Sequence, residues 1–288
     1  MSAYIHELIA LVAVFAVASL SLNLIVERAG LFSMMHGALI AFGAYSYALS
    51  TTNLGFWPSA GILVAIAASS VAGLIAAFCS VRLDEEQFAV TTLALQLLVI
   101  NILSNWVDLT KGPYGIAQVP TIAIWGTESR ETSFLITALL AVLVCATAFW
   151  LIAKSRFGLL LKASSIQEHM VEALGCPVSR YRIYAFCLGS VAAGLTGAIY
   201  AMHAGYIAPQ LFEIHLSILI LAMVIVGGGS IVGAIGGAAV IILIPEMLRF
   251  VAFDAAATGP LRQILFGCLL IGVIFARAKQ GQRRRTSA

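Results

Sequence analysis

His36 and the trio Glu168, His169 and Glu172 are the side chains here with the clearest capacity for acid–base or metal chemistry. The spacing His169-x-x-Glu172 puts two ligands on one helix face, yet no second histidine completes a metal pair around His169. A solvated face of a helix accounts for it. Nucleophilic chemistry has no carrier, because neither G-x-S-x-G nor H-E-x-x-H occurs. The run GGGSIVGAIGG (227–237) lacks the lysine of a phosphate-binding loop and reads as a helix break or tight intramembrane turn. Cysteines 79, 145, 176, 187 and 268 form no CxxC pair, so neither a disulfide framework nor a metal site is expected. With no catalytic constellation and no nucleotide motif, any work this chain does must be powered by a partner or an ion gradient.

The elements that position these residues belong to a membrane. Apolar residues make up 61% of the 288, charged ones only 10%, and the mean hydropathy is +1.01. A soluble domain carries about 25% charged residues. No Asp, Glu, Lys or Arg occurs in 29–81, 183–212 or 214–245, and roughly 20 apolar residues suffice to cross the hydrocarbon as a helix. The expected fold is all-α, a polytopic transmembrane helical bundle of about 8–9 spans. Its spans fall near 5–26, 31–50, 58–80, 87–107, 132–153, 183–203, 214–229, 232–249 and 258–277. Unbroken apolar runs, rather than alternation, exclude a β-barrel. Under that layout twelve of the 16 Lys and Arg residues share one side. Positive-inside bias then places the N-terminus outside and the C-terminus in the cytoplasm. The first segment lacks a basic flank and an A-x-A site, so it is expected to be retained. A net charge of +3 and the basic tail Arg283–Arg285 read as a membrane anchor, not as nucleic-acid binding.

One long polar island, 154–182, interrupts the apolar pattern and is expected in the cytoplasm. Ser164 and Ser165, each followed three residues later by Gln167 and Glu168, predict the capped start of a helix. Ile166, Met170, Ala173 and Leu174 then share one face, and Gly175 with Pro177 ends the helix. Its apolar face belongs to neither core nor lipid and is expected to dock another protein. Small residues recur every fourth position in three ridges. They are Ser33, Gly37 and Ala41; then Gly189, Ala193, Gly197, Ala201 and Gly205; then Gly229, Gly233 and Gly237. Such ridges pack helices closely in lipid, and they could also line a narrow polar path. His36, some five residues into a span, is either bonded to a neighbouring carbonyl or placed near a translocation path. Glu246 and Arg249 are expected to pair at a span end.

Several blocks then resemble a known family. SLNLIVERAGLFSMMHGALIAFGAYSYAL (21–49), FAVTTLALQ (88–96) and NWVDLTKGPYGIAQVP (105–120) are similar to the M-type permease of branched-chain amino acid ABC importers. So are SRFG (155–158), EALG (172–175), SRYRIYAF (179–186), AGLTGAIYAMHAGYIAP (193–209), SILILAMVIVGGGSIVGAIGGAA (217–239) and PEMLR (245–249). The sequence departs from the family at Leu83–Phe88, where three acids replace a Leu-Arg-Gly-aromatic pattern, and at Met34–Met35 before the retained histidine.

The resemblance implies a single permease domain over 1–288 with a coupling loop at 154–182, in the bacterial inner membrane. It implies a second, homologous permease, two cytoplasmic ATPase subunits holding ATP and Mg, and a periplasmic solute-binding protein. No cofactor is expected in this chain. Ser164, Glu168, Glu172, Ala173, Leu174 and Gly175 would then couple to an ATPase, and Ser33, His36 and Gly37 would lie near the translocation path. The solute class would be branched-chain or related small amino acids, with urea or short amides as the nearest alternative. An ion-coupled transporter remains open on the residues alone, though it would need more intramembrane acids than are present.

Overall fold

A computed structural model describes residues 2–80, 83–121, 130–248 and the isolated Gly267. The regular structure of the described residues is helical apart from two short strands. Helix α1 (Ser2–Asn23) runs into a π-helical turn (Leu24–Arg28), after which 29–35 is irregular and α2 (His36–Thr52) begins. Then come α3 (Pro58–Ser80), α4 (Glu85–Asn105), the single turn α5 (Val107–Thr110), a 3-10 turn (Gly112–Tyr114) and strand β1 (Ile116–Ala117). The polar island holds the end of α6 (Arg130–Lys154), α7 (Arg156–Ile166), α8 (Glu168–Ala173) and the start of α9 (Val178–Ala204). Strand β2 (Tyr206–Ile207), a 3-10 turn (Pro209–Phe212), α10 (Ile214–Gly227) and α11 (Ile231–Leu248) complete it. β1 and β2 pair antiparallel, Ile116 opposite Ile207, and tie the 106–121 loop to the end of α9.

Six helices among the described residues are long and apolar enough to cross a membrane, which makes this a multi-pass membrane protein. They are Tyr4–Arg28, Pro58–Cys79, Glu85–Asn105, Thr132–Lys154, Val178–Ala204 and Pro209–Gly227. Helix α2, with 17 residues, and the apolar stretch Ile231–Ile244 are shorter. Apart from Gly267, the span expected at 258–277 lies outside the described residues, as do Arg249, Arg262, Cys268 and the basic tail. Glu246 accepts a hydrogen bond from the Tyr4 hydroxyl of α1.

Helices α1 and α9 are the buried pillars. Protein covers 78% and 72% of their most apolar stretches, against 22–33% for α3, α4, α6 and the α10 segment, whose remaining faces suit lipid. The leucines that leave α4 and α6 exposed (Leu97, Leu98, Leu139, Leu140, Leu143) are what a lipid-facing surface needs.

Helix α9 packs on α2 and α3, which also pack on each other, while α1 packs on α6 and α11. The α2–α3–α9 unit is built on missing side chains. A Cβ on Gly43 would overlap the Gly194 carbonyl, and one on Gly197 would overlap Ile40 O and come within 2.7 Å of Ala44 N. Backbones this close gain dispersion and weak Cα–H···O contact, which replaces the hydrophobic drive absent in lipid. The Ser69 hydroxyl of α3 lies 2.9 Å from both Leu39 O of α2 and Ser190 O of α9, pinning three helices at one point.

Candidate functional site

The first candidate site is the buried start of α2. The sequence predicts one continuous helix over 31–50. The structure corrects this: Gly30, at φ +70°, turns the chain out of the π-helical turn, and helix resumes only at His36. Ser33 therefore lies outside the helix, and the Ser33–Gly37–Ala41 ridge is not a helical one. A helix start exposes N–H groups that lipid cannot satisfy, so irregular backbone at this depth survives only where protein supplies partners.

Here the partners come from other helices. Gly37 N–H donates to Ser217 Oγ of α10 at 2.7 Å, and Ala38 N–H to Gln96 Oε1 of α4 at 2.6 Å. Met34 N–H donates to Thr92 Oγ1 of α4 at 3.1 Å. Gln96 Nε2 in turn donates to Phe212 O at 2.7 Å, locking the turn before α10 into the same knot. Gly37 is also the residue that makes room, since a Cβ there would lie 2.9 Å from Gln96 Nε2, Phe212 O and Ser217 Oγ. Ser33, His36, Thr92 and Gln96 are wholly buried.

His36 faces α1. Its Nε2 is 2.7 Å from Ser21 Oγ, while the Ser21 hydroxyl donates to Gly189 O of α9. With its one proton committed to Gly189, Ser21 accepts from His36, which assigns the ring proton to Nε2. The partner of His36 is thus a serine hydroxyl rather than the carbonyl expected. Nδ1 has no hydrogen-bond partner among the described residues. Gly189 is shaped to the same contact: a Cβ on it would meet Ile25 Cδ1 at 2.6 Å and Ser21 O at 3.3 Å. Ser21, Thr92, Gln96 and Ser217 were not singled out by sequence reasoning. Their signal was simply a polar side chain in an otherwise apolar span.

The second candidate site is the polar island. Ser164 does not cap a helix. It is buried near the end of α7, its hydroxyl donating to Leu161 O, and Ser165 does the same toward Lys162 O. The cap is Ser155, whose Oγ accepts from Gly158 N–H at 3.3 Å. Helix α7 runs through the expected start and breaks at Gln167 (φ −146°, ψ 83°), leaving α8 as six residues. Glu168 is not free for a cap either, because Arg182 of α9 holds both its oxygens, at 2.7 and 2.8 Å.

The end of α8 follows the sequence reading. Gly175 adopts φ +83°, its N–H donating to Glu172 O at 2.8 Å, while Cys176 N–H reaches Val171 O. Ile166, Met170 and Leu174 are 72%, 64% and 83% exposed, and Glu172 and Ala173 are exposed beside them. His169 and Glu172 approach only to 4.0 Å on the open surface. Among the described residues no group of three His, Cys, Asp or Glu side chains could hold a metal ion.

Of the remaining ridges, Gly189, Ala193, Gly197 and Ala201 lie along α9 and Gly205 is its left-handed C-cap. Gly229, at φ +75°, belongs to the tight α10–α11 turn rather than to a helix, and a Cβ on it would run into the Glu27 carboxylate. Gly233 and Gly237 of α11 meet backbone of α10, at Gly227 and Met223.

The family model for the permease component of branched-chain amino acid transport systems matches residues 4–274. The chain belongs to that family. Among its relatives is the permease protein LivM of the high-affinity branched-chain amino acid transport system of Salmonella typhimurium, 29% identical over 266 residues. The Escherichia coli K12 LivM is 28% identical over 273 residues. These alignments cover 82% and 84% of this chain, which spans only 61% and 63% of the relatives' length. The autoinducer 2 import system permease protein LsrC of Yersinia pestis is 28% identical over 142 residues, covering 47% of this chain and 39% of LsrC. These relatives are transport permease components, not enzymes.

Proposed function

We propose that this chain is a membrane permease subunit of an ATP-driven importer for branched-chain or related small amino acids, working by alternating access. The observation that carries the reading is the exposed apolar row Ile166, Met170 and Leu174. It brackets the six-residue α8, with Ile166 at the end of α7, Met170 on α8 and Leu174 at its C-cap, in the one long polar island of a membrane-embedded family member. Water contact with three large apolar side chains is unfavourable by roughly 25 cal/mol per Å², and a docked partner removes it. The partner is an ATPase subunit whose groove takes α8, with Glu172, Ala173 and Gly175 at the contact. ATP and Mg reside on that subunit and its twin.

A homologous second permease completes the path, and a periplasmic binding protein delivers solute. The bias of twelve basic residues to one side supports an inner-membrane orientation with the island in the cytoplasm and the N-terminus outside. The knot around Ser33, His36 and Gly37 is proposed to border the translocation path.

The test is to purify the chain with the products of neighbouring genes and measure ATPase activity with and without solute-loaded binding protein. Stimulation by the loaded protein is the expected result. Solute uptake that follows an ion gradient and persists without any ATPase would overturn it.

A further inference from the structure

Helix α8 is too short to hold its own position, so whatever pushes on it must be passed on through side chains. Two of the contacts that tie the segment to the spans flank the break at Gln167. Arg182, only 6% exposed, sits in the second turn of α9 and grips both oxygens of Glu168 with Nη1 and Nη2. A bidentate guanidinium–carboxylate fork fixes orientation as well as distance, which one ammonium could not. The second contact is at the end of α7. Ser165 packs on Gly30, where a Cβ would lie 2.9 Å from Ser165 Cβ and 3.3 Å from its Cα.

Both contacts lead to the same body. Arg182 belongs to α9, and Gly30 opens the irregular stretch that delivers the chain to α2. Helices α2, α3 and α9 are joined by backbone-to-backbone seams at Gly43, Gly194 and Gly197 and by the Ser69 pin. Such packing moves as a unit, because close-packed interfaces do not deform continuously.

We propose that the Glu168–Arg182 fork is the strut that passes movement of the docking segment to α9 and, with it, to α2 and α3. The proposal rests on α8 being the docking element. It reassigns Glu168 from ATPase contact to positioning residue, since Arg182 already occupies its carboxylate. Ile166, Met170 and Leu174 make the outer contact, and Glu168 makes the inner one. Arg182 is buried where a charge needs a partner, and Glu168 is that partner.

The experiment uses the full complex with its ATPases and binding protein in liposomes, and reads three quantities: ATPase subunits retained, thermal midpoint, and solute taken up per ATP hydrolysed. Glu168→Gln and Arg182→Gln are each expected to retain the ATPases and lower uptake per ATP about fivefold or more. The double variant is expected to be no worse than the single ones, as for two groups acting as one unit. Leu174→Asp reports on the docking reading separately, and is expected to lose the ATPases. Retained ATPases in Leu174→Asp would sink the docking reading. Unchanged uptake per ATP in Glu168→Gln, with docking intact, would sink the strut alone. ATPase loss in Glu168→Gln equal to that in Leu174→Asp would make Glu168 an outer contact and refute the proposal. Should Arg182→Gln lower the thermal midpoint, Glu168→Gln, whose site is partly solvated, still decides between these results.

Discussion

Replacing Gln96 by Leu tests the idea that α2 can begin inside the bundle only because α4 supplies its partners. Gln96 is wholly buried and makes two strong bonds, accepting from Ala38 N–H at 2.6 Å and donating to Phe212 O at 2.7 Å. Leucine fills a similar volume, so little of the effect comes from a cavity. It leaves one backbone N–H and one carbonyl without their partners. Each orphan costs about 1–3 kcal/mol when buried. Measured interhelical bonds in membranes run lower, at about 0.6–2 kcal/mol, because the unfolded chain in lipid also finds partners. Two such losses give an expected destabilisation of about 2–4 kcal/mol. The assay is reversible unfolding in mixed detergent micelles, followed by circular dichroism. Asn101→Leu is the control: Asn101 is exposed on the same helix and bonds only Leu97 O within its own turn. It should change stability by less than about 0.5 kcal/mol. Equal stabilities for the two variants would refute the claim that the knot holds α2 in place.

Gly197→Ala is expected to cost about 1–3 kcal/mol by forcing α2 and α9 apart, while Gly236→Ala, with nothing within 4 Å of its Cβ, is expected to be neutral or slightly stabilising; the same unfolding assay checks both. Gly175→Ala meets no neighbour either, so its cost is the left-handed backbone alone, about 1–2 kcal/mol. It should speed amide exchange at 172–176 and leave the global midpoint unchanged. The branched side chain of Gly175→Val should go further and uncouple transport from ATP hydrolysis. Met170→Asp, at a site 64% exposed, is expected to abolish ATPase co-purification without shifting the midpoint.

The legible parts of the chain were those set by local chemistry. Charge-free intervals marked the spans, Gly175 marked the end of α8, and the glycines of 227–230 marked the turn between α10 and α11. What stayed hidden depended on distant partners. The apolar run after 31 reads the same whether it is helix or buried irregular chain, so the break before His36 left no trace in hydropathy. The S-x-x-E pattern at Ser165–Glu168 satisfied a capping rule, but the carboxylate went to Arg182, 14 residues on. Ser155 also satisfied that rule's need for an oxygen at a helix start, and α7 therefore began nine residues earlier. Gln96 offered only its polarity; that it serves Ala38 and Phe212 depends on how α2, α4 and the turn before α10 meet.

The seam and the knot differ in what it takes to part them. Separating α9 from α2 would open contacts spread along Gly43, Gly194 and Gly197, where backbone touches backbone and no water waits in lipid to replace it. Separating α10 from α2 breaks chiefly the Gly37–Ser217 bond, with Gln96 3.4 Å from Ser217 Oγ and able to take up part of the loss. One interhelical bond is worth about 0.6–2 kcal/mol, well within what a nucleotide-driven partner could supply. Motion in this bundle should therefore occur at the knot, with α2, α3 and α9 travelling together. Ser217→Ala tests this: it should ease the α10–α2 separation and raise ATP hydrolysis in the absence of loaded binding protein. Weakening the seam with Gly197→Ala should instead lower assembly without raising that basal rate. If Gly197→Ala raised the basal rate and Ser217→Ala did not, the moving boundary would be the seam.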